Sequence, residues 1–320
     1  MKRKLLPRMF AGAGLLAAGL TASAQDYPSR PIKLVVAQTP GGSGDTQARI
    51  VAAELSERLG VPVVVENKPG GAFIIGTGFV VKSPPDGHTL LHSTFQGLDI
   101  FPGPDKLPYD PDKDLMPIAI NSSADSGFAV TSKLGVKNLK EFIALAKSKP
   151  GKLTFGSGGP ASSTHFAGEL FKLRTGVDML HVPFKGSAAL TATLAGDIDM
   201  AVTGTLGMVA QREKLVPLAM TGRKRDPVLP EVPTMLELGY PDVVISFPYG
   251  IFAPARTPQP IITKLSKVTA DMVASPQFGE RTRKIGFMPQ YEGPEEYARS
   301  LVAARKLWHG VARDANIKFE

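Results

Sequence analysis

Apolar residues follow two spacings along this chain, and the two spacings alternate. Residues 32–36 and 62–66 are short β-branched runs of the kind found in buried strands. Between them, apolar residues recur at helical spacing until Gly60 ends the pattern: Ala48, Val51, Ala52, Leu55 and Leu59. A second helical stretch and a strand at 89–91 follow the turn at 67–71. This alternation predicts a mainly parallel sheet covered by helices.

A second set of elements follows residues 95–114, a proline-rich stretch predicted to form a long surface loop before the chain crosses to another lobe. Asn138 and Glu141 have the spacing of a helix cap, and a helix opened by Ser162 or Ser163 is expected further on. The remaining predictions are strands at 152–155, 179–184 and 198–203, and helices at 188–195, 258–274, 276–285 and 294–312.

Two of the predicted strands run directly into glycine turns. Residues 32–36 lead to 40–45, and 152–155 lead to 156–159, each followed by a helical segment. Backbone N–H groups and a helix N-terminus at such a turn attract anions. The pair therefore predicts two sides of an anion-binding cleft, although a tight strand-to-helix connection explains each turn taken alone.

The first residues have the pattern of an export signal. Lys2, Arg3, Lys4 and Arg8 precede a short apolar run, and a small-x-small site ends at Ala24. We therefore predict a cleavable signal peptide over residues 1–24 and an exported mature protein that is released rather than tethered to the membrane.

Composition narrows the functional classes. At 320 residues the chain is long enough for two domains. Its net charge is +8, and the four basic residues of the predicted signal peptide reduce this to about +4 for the mature chain, a poor indication of nucleic-acid binding. The chain has no cysteine, which excludes disulfides and thiolate chemistry.

Enzyme motifs are weak or absent. Gly156, Gly158 and Ala161 fit the loose dinucleotide fingerprint, but the acidic residue expected after the next strand is missing. There is no phosphate-binding loop and no nucleophile elbow. Ser157, His165 and Asp199 have the residue types of a hydrolase triad, but no sequence motif brings the three together. His88 and His92 lack an acidic partner for a metal, so no cofactor or metal is expected.

The chain resembles the Bug receptors, the periplasmic solute-binding proteins of tripartite tricarboxylate transporters. The resemblance is carried by Pro40-Gly41-Gly42-Ser43-Gly44-Asp45 and by Val182-Pro183-Phe184-Lys185-Gly186. Further matching segments keep the same order over the whole mature chain: 27–32, 65–70, 85–91, 107–111, 149–153, 196–199, 229–234 and 253–258.

The resemblance implies an α/β fold, a two-lobed periplasmic binding protein of the type II-like clamshell class. Each lobe is then a mixed, mainly parallel sheet flanked by helices. Residues 25–124 and 246–296 would form lobe 1 and residues 125–245 lobe 2, with 297–320 a C-terminal helix not assigned to a lobe. The implied partners are a small organic acid and the membrane permease subunits, and a monomer is expected.

The resemblance also implies a ligand site in which backbone amides and hydroxyls hold the carboxylate. Asp199 matches a family pocket acid, although tying down a strand end is an equal alternative. Gln38, Phe73, Phe184 and Pro248 depart from the family pattern, which argues against a standard citrate-like or amino-acid ligand. Gln38 could bond a substrate through its amide, and Phe73 could stack on a ligand with an aromatic or apolar face. The complete expected set is Gln38, Gly41, Gly42, Ser43, Asp45, Phe73, Gly76, Ser157, Ser162, Ser163, Phe184, Lys185 and Asp199.

Three functions are therefore considered. The first is a receptor that delivers a carboxylate to a tripartite transporter and is not an enzyme. The second keeps the fold and makes the protein a ligand-loaded sensor for a membrane signalling kinase. The third is an exported hydrolase that uses Ser157.

Overall fold

The computed structural model describes residues 27–98, 107–160, 162–184 and 188–317. The predicted signal peptide lies outside these ranges, and so does Lys185.

The first half of the structure is a mixed sheet with helices on both faces. The strands are β1 (Ile32–Val36), β2 (Val63–Asn67), β3 (Thr89–Thr94), β4 (Leu115–Thr131), β9 (Ser246–Pro254) and β10 (Met288–Glu292). They lie in the order β2, β1, β3, β9, β4, with β10 also paired to β4. Parallel pairing joins β1 to β2 and β3, whereas β9 and β10 pair antiparallel to their neighbours. The helices are α1 (Ser43–Leu59), α2 (Ile74–Val81), α3 (Phe95–Leu98), α4 (Pro111–Asp114), α9 (Gln259–Val273), α10 (Pro276–Lys284) and α11 (Pro294–Asp314).

The second half is built on the same central strand. Its further strands are β5 (Thr154–Ser157), β6 (Leu180–Pro183), β7 (Met200–Gly204) and β8 (Leu215–Met220). The end of β4 pairs with β7 and β8, and β7 pairs with β5, which in turn pairs with β6. The helices are α5 (Leu139–Ser148), α6 (Ser163–Thr175), α7 (Ala188–Ala195) and α8 (Thr205–Ala210).

One long strand, β4, belongs to both halves. Its residues up to Asp125 pair with β9, and from Ser126 onward they pair with β7 and β8. The two halves therefore share one continuous sheet of ten strands. The lobe boundary predicted at residue 125 falls at this change of partners and stays a prediction.

The helix predictions from apolar spacing are confirmed. Helix α1 ends at Gly60, which adopts the left-handed conformation at φ 70°. Helix α6 is capped by Ser162, whose hydroxyl accepts from the His165 N–H, and the Asn138 side chain caps α5 in the same way. The three C-terminal helices α9, α10 and α11 lie where predicted.

The predicted loop at 95–114 is wrong at both ends. Phe95 and Leu98 are buried in α3, so an apolar contact orders the start of this stretch. At its other end Asp110 caps α4, which begins with Pro111. Residues 99–106 lie outside the described part of the chain.

Helix α11 joins the two halves from the outside. The buried indole of Trp308 stacks on Phe247 of β9 at 5.8 Å and meets Phe166 of α6 edge-on at 5.6 Å. Tyr297, in the first turn of α11, packs against Phe252 of the first half. The C-terminal helix therefore contacts both halves and shares one apolar core with them.

Candidate functional site

A cavity of about 420 Å³ lies between the two halves, where β4 changes its partners. The first half contributes Gln38, Ser43, Thr94, Phe247 and Tyr249, together with residues 285–287. The second half contributes Ser163, Thr164, Gly204, Thr205, Leu206 and Gly207, and β4 itself adds Ala124, Asp125 and Ser126. A volume of this size suits a small organic molecule.

The first glycine turn brings the N-terminus of α1 to the cavity. The cap position is Gly42, which has no side chain to bond the first helical N–H groups. Ser43, the first helical residue, is exposed and lines the cavity. The helix therefore presents unsatisfied N–H groups and the positive end of its dipole to a ligand.

Asp45 supports this turn. Its carboxylate accepts hydrogen bonds from the Gly41 N–H at 2.9 Å, the Asn67 amide at 2.8 Å and the Arg49 guanidinium at 3.0 Å. Burial alone would raise the pKa of Asp45, but these three donors hold it below its usual value. Asp45 is 2% exposed, so its carboxylate shapes the turn and is shielded from the cavity.

Gln38 lies at the floor of the cavity. Its amide passes over Gly44, where a Cβ would lie 1.7 Å from Gln38 Oε1 and 3.1 Å from the ring of Tyr249. Burial raises the pKa of Tyr249, so this phenol stays neutral. The pair offers neutral polar atoms beneath the end of α1.

The second glycine turn brings α6 to the other side. The Ser162 hydroxyl donates to the Gly159 carbonyl at 2.7 Å and accepts from His165 N–H. The Thr164 hydroxyl accepts from the Gly158 N–H at 2.8 Å. Ser162 is thus committed to the cap, and Ser163 and Thr164 are the residues of this turn that line the cavity.

Ser157 lies behind that turn. It is fully buried, with its hydroxyl 2.6 Å from His181 Nε2 and 3.1 Å from the Gly159 carbonyl. His181 stacks on His165 at a ring distance of 3.7 Å, and burial lowers the pKa of both imidazoles to about 4. Both rings are neutral at neutral pH, and the serine supports the turn from below.

The hydrolase trio is not assembled. Asp199 accepts from the backbone N–H and the hydroxyl of Thr154, at 2.8 and 2.9 Å. It precedes β7, whereas the cavity lies at the other end of that strand, at Gly204. Asp199 therefore joins the starts of β5 and β7, the structural alternative considered for it.

Three further expected residues lie beside the cavity and do not line it. The Phe73 ring packs on α3, where a Cβ on Gly97 would lie 2.7 Å from it. Gly76 lets α2 approach the end of β1, since a Cβ there would lie 2.7 Å from that of Ala37. Phe184 packs against Gly156.

Several cavity residues were missing from the sequence-based set: Thr94, Asp125, Ser126, Thr164, Thr205, Phe247, Tyr249 and Phe287. Most of them lie on β4 or β9, at the end of β3 or directly after β7, and the sequence pattern did not predict β4 or β9. Their signal was a run of small polar residues at 121–126 inside an otherwise apolar segment.

The charge of the lining is unusual for a site expected to take an anion. Among the described residues around the cavity there is no Lys, Arg or His, and Asp125 is the one charged side chain. Attraction for an anion must therefore come from backbone N–H groups, helix dipoles and hydroxyls.

Two α/β halves that share the strand β4 and enclose a cavity between them have the architecture of solute-binding receptors. Residues 47–316 match the model of the Tripartite tricarboxylate transporter family receptor, and the chain belongs to this family. Family and fold are those of solute-binding receptors and not of enzymes.

Relatives extend over nearly the whole chain. The protein is 33% identical to Protein BugT of Bordetella pertussis over 319 residues, which cover 97% of each chain. It is similar to the R. palustris protein Rpa4515 with adipate, with a TM-score of 0.76, 32% identity and coverage of 91% of this chain and 99% of that one. It is also similar to MatC from Rhodopseudomonas palustris with bound malate, with a TM-score of 0.72, 29% identity and coverage of 89% and 99%. The resemblance to Bug receptors and the predicted fold class are confirmed.

In the ranges that the structure describes, no helix is long and apolar enough to cross a membrane. Within the same ranges, no three His, Cys, Asp or Glu side chains are grouped as metal ligands.

Proposed function

We propose that this protein is a periplasmic receptor that binds a small organic carboxylate in the cavity and delivers it to a tripartite transporter. The observation that carries the proposal is the pair of helix N-termini, α1 from the first half and α6 from the second, whose first residues line one cavity. Each directs N–H groups and a positive dipole end to the same small volume.

The absence of lining cations among the described residues supports a binding role with reversible release. Hydrogen bonds to backbone N–H groups and hydroxyls hold a carboxylate without the strong ion pair that an arginine fork would add. The related structures named with adipate and malate contain acids of this kind.

Closure of the two halves on the ligand would complete the site. A carboxylate that contacts α1 and α6 together is bound more tightly when the halves are close, so it favours the closed form. The closed form is then the state presented to the membrane permease subunits, and the predicted signal peptide supports a periplasmic location.

Thermal unfolding with a panel of mono-, di- and tricarboxylates tests this function. At least one acid is expected to raise the melting temperature in proportion to the logarithm of its concentration, because it binds the folded protein alone. A folded protein that responds to none of them would contradict the proposal.

The double variant Ser43→Ala, Ser163→Ala tests the position of the site. Loss of two hydroxyl contacts at about 1 kcal/mol each should weaken carboxylate binding roughly 10- to 30-fold in calorimetry. Ser148→Ala, on the exposed surface of α5, is the matched control and should leave affinity unchanged. Equal affinity in the double variant would place the carboxylate elsewhere.

A further inference from the structure

Asp125 occupies a special position in the cleft. It is the last residue of β4 that pairs with β9, and its neighbour Ser126 is the first that pairs with β7. The side chain lines the cavity between the halves and also a second cavity of about 420 Å³ behind it. It lies against Gly222, where a Cβ would be 2.3 Å from Asp125 Oδ2. The fold thus leaves room for a carboxylate at the junction of the two halves.

This carboxylate forms no ion pair with a described residue, and the three basic residues that line the second cavity with it, Arg223, Lys224 and Arg225, lie beyond ion-pair distance. Among the described residues, no Lys, Arg or His nitrogen lies within ion-pair distance of Asp125. The nearest acidic neighbour, Asp226, adds repulsion and is itself bonded to the Thr205 hydroxyl. A partly buried carboxylate without a counter-charge is unfavourable in any protein, and it is least expected in a site built for anions.

A ligand can supply the missing charge. We propose that Asp125 determines the specificity of the cleft, and that the preferred ligand is an organic acid that also carries an ammonium group. The helix N-termini of α1 and α6 bind its carboxylates, and Asp125 accepts hydrogen bonds from its ammonium. This inference rests on the proposed function and names the substrate class of the same site.

The state of Asp125 adds a pH signature. Burial, together with Asp226, raises the pKa of Asp125 to about 6. The other charged groups facing it are Arg223, Lys224 and Arg225 around the second cavity, and Tyr249 is the remaining titratable group of the cleft. Between about pH 5 and 7.5 Asp125 ionises, which strengthens binding of an ammonium and weakens binding of a plain dicarboxylate.

Matched pairs of acids test the inference: succinate and aspartate, glutarate and glutamate, adipate and 2-aminoadipate. Calorimetry at pH 7.5 should show the amino acid of at least one pair binding about 10-fold or more tighter than its plain partner, the gain typical of a hydrogen bond between charged groups. In Asp125→Asn this preference should disappear through weaker binding of the amino acid. Asp178→Asn, an exposed acid on the second half, is the matched control and should keep the preference.

Wild-type pH profiles give a second measurement that does not depend on the variant folding. The ratio of the affinity for the amino acid to the affinity for the plain acid should rise as pH increases from 5 to 7.5. In Asp125→Asn, any remaining change of this ratio with pH comes from ionisation of the ligands alone. Plain acids that bind as tightly as their amino partners, or a ratio independent of pH, would overturn the inference and leave the carboxylate receptor intact. If no acid of either kind binds, the proposed function fails and the inference with it.

Discussion

At the scale of single residues, two aspartates near the cleft differ in their surroundings and therefore in their effect on stability. Three donors surround Asp45 and lower its pKa, whereas burial without a cation raises the pKa of Asp125. A carboxyl with a lowered pKa stabilises the fold when ionised, and one with a raised pKa stabilises it when protonated. The two side chains should respond to pH in opposite directions.

Replacing Asp45 by Asn should destabilise the protein by roughly 1–3 kcal/mol at pH 7, because a buried charge-assisted network loses its acceptor. Since the native pKa of Asp45 is lowered, its contribution is present above pH 4 and is lost as pH falls below that value. Denaturant unfolding at pH 7 and pH 3 measures this. Asp197→Asn, an exposed acid, is the control. A stability loss that is equal at both pH values would contradict the role given to Asp45.

Asp125→Asn should stabilise the ligand-free protein at pH 8. The native pKa of about 6 lies above the usual value of 3.8, so the favourable contribution of the protonated acid is complete below pH 4 and is lost as pH rises through 6. The shift corresponds to at most about 3 kcal/mol. Melting curves of both proteins at pH 8 and pH 4 test this, and a variant less stable at pH 8 would show that the ionised form has a favourable partner.

At the scale of elements, two glycines of α2 have different surroundings. A Cβ at Gly76 would lie 2.7 Å from the Ala37 Cβ and 2.9 Å from the Lys68 carbonyl, whereas a Cβ at Gly78 would meet nothing closer than 3.9 Å. The close approach at Gly76 therefore sets the distance between α2 and the end of β1, just before the first glycine turn.

Gly76→Ala should destabilise the protein by about 1–3 kcal/mol, because backbone atoms must move to admit the methyl group. Gly78→Ala, two residues along the same helix, is the matched control and should be neutral or stabilising by up to about 1 kcal/mol. Urea unfolding of both variants tests the pair. Equal effects at the two positions would mean that α2 is free to shift.

The sequence predicted the elements whose apolar pattern reflects only burial against the core. Helices α1 and α9 bury their apolar residues at helical spacing, and that spacing located them, whereas α6 was located by its serine cap. Strand β4 was missed because the polar residues at 121–126 interrupt its apolar run, and β9 was missed because Pro248 and Gly250 interrupt its own. These interruptions hid Asp125 and Tyr249, so the cavity residues on β4 and β9 were the hardest to predict. Ser43 and Ser163 were found because a glycine turn followed by a helix is a local signal.

At the scale of the whole molecule, α11 and β4 join the two halves on different sides. Strand β4 passes between the sheets, and Trp308 of α11 contacts Phe166 and Phe247 from outside. The halves thus share both a strand and an apolar contact. Their stability should be coupled.

Trp308→Ala should lower the free energy of unfolding by about 3–5 kcal/mol, because it removes a buried indole from the joint between the halves. Val302→Ala, on the exposed side of the same helix at 64% exposure, should change stability little. Trp308 is also the one tryptophan of the chain and is buried, so we expect a blue-shifted emission that reports on this joint directly. Fluorescence and circular dichroism should give the same unfolding midpoint. Separate midpoints would show that the halves unfold independently.

The continuity of β4 also limits how this receptor can be recombined with its relatives. Its 17 residues supply paired backbone to both sheets, so a half expressed alone would expose an unpaired strand edge and would tend to aggregate. A chimera that exchanges one half for that of a relative has its first junction between Asp125 and Ser126, inside a hydrogen-bonded strand. Such a chimera inherits the acid at that junction from whichever parent supplies the first half.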